Sequence, residues 1–113
     1  MTAPEDRSEE PAADIELPRG FTAHVANVGI KDATDDFVVI STEVPCAAAA
    51  VFTRSRFAGP SVELSRRHVA DGSLRAVVVV SKNANVATGE AGRADAEELA
   101  AGVAGAIGAD PSD

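Results

Sequence analysis

The chain is 113 residues long, with 18 acidic residues against ten Lys and Arg, a formal net charge of −8, four Phe and no Tyr or Trp. That length allows one domain with a modest core. The acidic balance, without a basic stripe to displace counterions, excludes a nucleic-acid binder.

The acids are unevenly spread. Residues 1–17 hold six of them against Arg7 alone, a net charge of −5, with Pro4 and Pro11 and almost nothing apolar to bury. This composition predicts a disordered acidic tail over 1–17 and leaves only −3 for the folded part, 18–113. The acidic start lacks the apolar region of a signal peptide, and no stretch approaches the roughly 18 apolar residues of a membrane span. A cytoplasmic protein without membrane contact is expected. The single Cys46 agrees, since one thiol makes no internal disulfide. His24, Cys46 and His68 lack ligand spacing, so no metal is expected.

After a turn at 17–20, residues 21–30 alternate as a strand with Phe21, Ala23, Val25 and Asn27 on one face. Residues 31–36 form a polar turn. The β-branched run 37–40 predicts a strand covered on both faces, continuing to Val44 and ending at Pro45, which cannot donate to a ladder. Residues 46–52 are ambiguous between alanine-rich helix and strand, and strand is preferred because short elements surround them. Gly59-Pro60 marks a turn, 61–64 a short strand, and 65–70 a short helix with Ser65 as N-cap. Four consecutive valines in 74–81 predict a central strand buried on both faces. A loop over 82–92 leads into a helix over 93–107, where Ala96, Leu99, Ala100, Val103 and Ile107 recur at helical spacing and Gly108 supplies the C-cap. The order of elements predicts an α/β domain with a mixed sheet.

Few side chains carry chemistry. The loop before the last helix lacks both the P-loop and the G-x-G-x-x-G patterns, and Glu90 and Asp95 would repel a phosphate. Asn83 and Asn85 flank a small Ala84, so their amides suit either pinning an irregular loop or orienting a substrate carbonyl; Thr88 serves either role. Cys46 sits in an apolar setting that disfavours a thiolate. His68 lies beside Arg66 and Arg67, which disfavour its imidazolium, and no Ser-His-Asp set assembles from the two histidines. Removal of Met1 would expose Thr2 as an N-terminal nucleophile, yet the surrounding tail is too polar to hold it in a pocket. Arg54, Arg56, Arg66 and Arg67 form a basic cluster suited to a solvated face, to an acidic substrate, or to pairing with Glu63 and the acidic tail.

Several ordered segments resemble one family. Pro18-Arg-Gly-Phe21, Val28-Gly-Ile-Lys31, Pro45-Cys-Ala-Ala-Ala-Ala-Val-Phe-Thr53, Arg75-Ala-Val-Val-Val79, and Asn83-Ala-Asn85 followed by Thr88-Gly-Glu90 resemble the opening of the ornithine acetyltransferase (ArgJ) family. The resemblance implies an incomplete layered αββα sandwich and an enzyme with an N-terminal nucleophile. Such an enzyme passes an acyl group through the ester of a threonine freed by self-cleavage. Typical members move acetyl from N-acetylornithine to glutamate in arginine biosynthesis. The implied partners are the rest of the α chain, the β chain, further copies of the enzyme and a small acyl substrate; no cofactor is implied. The nucleophilic threonine and the oxyanion-hole segment, similar to S-T-G-V-I-G, are expected beyond Asp113, so 18–113 is expected to be inactive alone.

Two departures bear on substrate. Val86-Ala87-Thr88 stands where the family commonly has Ala-Cys-Thr, and Phe52-Thr-Arg-Ser-Arg-Phe57 resembles the branch found in β-lactam antibiotic gene clusters. That branch adds a pantetheine-type amide hydrolase as an alternative activity. A non-catalytic binding or regulatory fragment is the other. By matching positions no catalytic residue is assigned; Asn83, Asn85, Thr88 and Gly89 are expected as scaffold near the site.

Overall fold

The computed structural model describes residues 16–81 and 85–113, so most of the expected tail, together with Lys82 and Asn83, lies outside the described residues. The order of elements is β1 (Phe21–Ala26), β2 (Phe37–Ala47), α1 (Pro60–His68), β3 (Ser73–Val80) and α2 (Gly89–Ile107). The strands form one sheet in the order β1-β2-β3, with both neighbouring pairs antiparallel. The expected mixed sheet is therefore corrected: no parallel pair occurs among the described residues.

β1 stops at Ala26, four residues early, because the chain then winds around two side chains. The Asp36 carboxylate, 2% exposed, accepts backbone N–H bonds from Val28 (2.8 Å), Ile30 (2.7 Å) and Lys31 (2.9 Å). Asn27 donates through Nδ2 to the carbonyls of Lys31 (2.9 Å) and Thr34 (2.8 Å) and accepts from the Gly29 N–H. Side-chain bonds of this kind compete directly with a sheet ladder.

Pro45 does not end β2, which runs on to Ala47. The register slips between Ser41 and Cys46, and such an irregularity is where a residue without an N–H is tolerated. Arg75 braces this point: its Nε (3.3 Å) and Nη2 (3.1 Å) donate to the Thr42 carbonyl, and Nη1 (3.1 Å) donates to the Gly108 carbonyl. The half-buried Cys46 belongs to β2, but the strand expected over 46–52 is otherwise absent, and residues 48–55 carry no regular structure. The short strand expected over 61–64 is instead the first half of α1, with Pro60 at its start, Gly59 as N-cap and Ser65 inside the helix. Proline fits the first helical turn, where an N–H would go unused.

The valine strand is an edge, not the centre. β2 occupies the middle of the described sheet, and Leu74, Ala76, Val78 and Val80 are the more buried residues of β3 along the space beside the helices. Val39, paired with Val78, is buried on that covered face, as are Leu64 of α1 and Ala104 of α2 within the helix layer. Val77 and Val79 point the other way and are each 49% exposed, as is Val25 of β1. The register sets these beside Phe21, Val38 and Ile40, a continuous apolar face with no layer against it among the described residues. The expected burial on both faces is therefore corrected too.

α2 begins at Gly89, four residues before the predicted start, so Glu90 occupies its first turn. Its stripe of Ala96, Leu99, Ala100, Val103 and Ile107 borders the sheet, and Gly108 closes it in the left-handed conformation (φ 72°).

Two outcomes follow. Burial pushes the Asp36 carboxyl up, but the N–H groups of Val28, Lys31 and Ile30 outweigh it and hold the group below its ordinary value of 3.8. A depressed carboxyl contributes stability that is complete above its unfolded value and is lost as pH falls through the folded one. The Val28, Ile30 and Lys31 amide resonances should therefore hold steady down to pH 3.8 and shift below it; in Asp36→Asn this acid step should vanish. For the bare face, Val77→Thr with Val79→Thr keeps β propensity while removing apolar surface. It should reduce self-association in light scattering while leaving the unfolding free energy within about 1 kcal/mol of wild type.

Candidate functional site

The loop before α2 is held by a small knot of polar groups. Asn85 Nδ2 donates to the Gly92 carbonyl (2.8 Å), and its Oδ1 accepts from the Thr88 hydroxyl in a short contact. This bonding occupies both ends of the Asn85 amide. Thr88 is the N-cap residue of α2 but makes no side-chain cap bond, because its hydroxyl is turned to Asn85. Ala87 (φ 56°) and Gly89 (φ 65°) both take left-handed backbone to make the turn. For an alanine that conformation is uncommon and is held by its surroundings.

Two buried glycines make the knot possible. A side chain at Gly59 would strike the Asn85 backbone carbonyl, and one at Gly92 would strike Thr88 Oγ1 and Asn85 Oδ1. The loop before α1 thus lies directly against the loop before α2. Of the four residues expected as scaffold, Asn85, Thr88 and Gly89 come together at this junction. Asn83 lies outside the described residues.

The arginines share the neighbouring surface. Arg66 Nη2 donates to the Thr53 carbonyl (3.1 Å), with its guanidinium 5.4 Å from the centre of the Phe52 ring. Arg54 and Arg56 stand exposed on the same loop. Arg67 pairs with Glu97 (3.7 Å), and Glu63, also a candidate partner for the cluster, pairs instead with Arg93 (3.3 Å). Exposed pairs of this kind contribute about 0–1 kcal/mol each.

Beneath, a cleft of about 570 Å³ separates the helices from β3, lined by apolar residues such as Leu64, Val80 and Val103, with His68 and Asp110 at its edge. The Ser112 side-chain and backbone bonds, with a smaller contribution from His68, hold the Asp110 carboxyl below its ordinary value. Asp110 thereby serves a turn: Ser112 donates to it from Oγ (2.6 Å) and from its N–H (2.9 Å). The Cys46 thiol rests on the Val44 carbonyl (3.6 Å), and His24 is exposed on β1. Apart from Ser112 on Asp110, no hydroxyl or thiol is bonded to a carboxylate or a histidine among the described residues. Nor do three or more His, Cys, Asp or Glu side chains converge there as a metal site. Among the described residues no helix is long and apolar enough to cross a membrane.

Sequence reasoning missed Gly59, Asp36 and Arg75 as organisers. Arg75 gave a signal, a charged residue in the otherwise apolar run 74–80.

Gly59→Ala should cost about 1–3 kcal/mol, the range for overpacking, because the obstacle is backbone rather than a side chain free to rotate. Chemical denaturation measures it. An unchanged midpoint would mean that the two loops do not meet in solution.

The sequence and the fold both match known proteins. The family model described as the ArgJ family matches residues 22–113. Glutamate N-acetyltransferase Oat2 of Streptomyces clavuligerus is 55% identical over 92 residues, covering 80% of this chain and 23% of that protein. Arginine biosynthesis bifunctional protein ArgJ 2 of a Nostoc species is 51% identical over 82 residues, covering 73% of this chain and 21% of that protein. Among solved structures, the Bacillus halodurans ArgJ protein superposes with a TM-score of 0.80 at 30% identity, covering 83% of this chain and 50% of that one. Ornithine acetyltransferase of Mycobacterium tuberculosis, solved with ornithine, superposes with a TM-score of 0.76 at 39% identity, covering 80% and 48%. The match thus spans between a fifth and a quarter of the two curated relatives. With the family model matched from residue 22 to residue 113, the chain belongs to the ArgJ family.

Proposed function

We propose that this chain supplies the N-terminal part of an acyl-transferring enzyme of the ArgJ type. In this reading an acetyl group passes from N-acetylornithine to glutamate through a threonine ester, the threonine lying outside residues 1–113. The observation that carries the reading is the bare sheet face of Phe21, Val25, Ile40, Val77 and Val79. An apolar surface of this extent calls for a second layer. In the proposed αββα sandwich that layer is a further sheet from the remainder of the enzyme. The role of the chain is then to form one outer helix layer and one inner sheet, with the knot at Asn85, Thr88 and Gly89 as rigid scaffold beside the site. That the Asn85 amide is spent on internal bonds favours scaffold over substrate contact.

The reading is tested by assaying acetyl transfer from N-acetylornithine to glutamate. The 113-residue chain alone should give no turnover above background. Co-expressed with the part of Oat2 that follows the matched segment, it should co-purify and regain transfer. Turnover by the 113-residue chain alone would overturn the reading. Co-purification with hydrolysis of a pantetheine amide but no transfer would replace it by an amide hydrolase, a choice to which the Phe52–Phe57 segment is relevant.

A further inference from the structure

The outer edge of β3 carries backbone groups with nothing to guard them. β2 is the one strand beside β3 in the described sheet. The Ser81 N–H donates to the Asp36 carbonyl (2.9 Å), so the backbone groups of Ser81 point toward β2. Along a strand these groups alternate between the two sides, which turns those of Val77 and Val79 toward β2 and those of Val78 and Val80 outward. Among the described residues the outward N–H and C=O groups of Val78 and Val80 have no backbone partner.

The near end of the same edge is closed. The Asp113 carbonyl accepts from the N–H groups of Arg75 (2.8 Å) and Ala76 (3.4 Å). The Arg75 guanidinium, a charge that could guard the edge, is turned to the Thr42 and Gly108 carbonyls. From Ala76 to Ser81 there is neither a charge nor a proline. Natural edges commonly rely on one or the other to prevent pairing with another chain.

These limits select a register. Laid antiparallel along the edge with a two-fold axis beside Val79, a copy of β3 sets its Val80 opposite Val78 and its Val78 opposite Val80. Each pair can then exchange both N–H···O bonds. Centring on Val77 would need the Ala76 N–H that Asp113 already holds. Val79 is therefore the centre that uses both free valines and leaves Asp113 in place. Its side chain, 49% exposed, meets its own copy across the axis, which takes apolar surface out of water. A contact in which the same residues serve both subunits closes with two copies.

We propose that the free edge of β3 pairs antiparallel with the β3 edge of a second copy of this chain, centred on Val79, so that two sheets join into one. The inference does not rest on the acyl-transfer reading: it concerns the strand edge rather than the bare face, and its test uses no activity assay.

Amide hydrogen exchange is followed by NMR on the 113-residue chain across a dilution series whose association state is measured by sedimentation equilibrium. From monomer to dimer the Val78 and Val80 amides should slow at least about tenfold, while those of Val77 and Val79, bonded to β2 in both states, change little. Dimers in which Val78 and Val80 exchange as fast as in the monomer overturn the proposal, because the contact then lies elsewhere. A chain that stays monomeric throughout overturns it too. Val78→Pro removes an outward N–H from each copy and leaves the bonds to β2, since an edge strand accepts proline where its nitrogen faces outward. The substitution should raise the dimer Kd at least about tenfold. An unchanged Kd rules the pairing out. The exchange measurement needs no substitution, so it decides the matter even if the proline variant fails to fold.

Discussion

The fold depends on β2 being paired along both edges. Its first six residues, 37–42, match β1 residue for residue on one side, and 37–41 match β3 on the other. Every other element takes its place from this strand. The loop wound around Asp36 precedes it, the arginine loop follows it, and α1 and α2 rest on the face that carries Val39 and Val78. Antiparallel pairing also explains the register slip after Ser41. Once β1 has ended, β2 has only one neighbour to satisfy, and the backbone can bend there. The Thr42 hydroxyl, bonded to the carbonyls of Val44 (2.7 Å) and Arg75 (3.2 Å), and the Arg75 guanidinium take up the groups that the slip would otherwise leave unpaired.

Where the sequence carried a local cause, the elements could be read from it. The α2 stripe and its glycine cap were legible because helical spacing and a left-handed C-cap are properties of neighbouring residues. The β1 face of Phe21, Ala23 and Val25 was legible for the same reason. What could not be read was decided at long range. Four valines in a row fit a buried strand, but whether such a strand lies in the centre or at an edge depends on which strands pair with it, and here β2 took the middle. The end of β1 was hidden because the Asp36 side chain competes for the backbone that follows it from five to eight residues away. Over 61–64 the expected strand gives way to α1 because proline suits the first turn of a helix as well as it suits a turn.

The candidate site divides along the same line. Asn85 and Thr88 could be recognised by type, since an asparagine in a glycine-punctuated loop has amide groups to satisfy. Their joint role could not, because it requires Gly59, 26 positions earlier, to give up its side-chain space to the Asn85 carbonyl. The arginine cluster was visible as composition. Its fixed member, Arg66, became distinguishable from its solvated ones only through Phe52 and Thr53.

A sheet covered on one face among the described residues sets a stability problem that a second layer would solve. On the helix side the buried apolar set is small, with Val39, Leu64 and Ala104 leading it and a cleft still open between the layers. On the other side the valines are half exposed. Covering them at about 25 cal/mol per Å² would add several kcal/mol for a few hundred Å² of apolar surface. That is comparable with the whole stability of a small domain. The same surface that limits the isolated chain therefore gives a second layer its reason to pack. The solved ArgJ chains are roughly twice as long as the matched segment, and in the proposed reading that further length supplies the layer for the valine face.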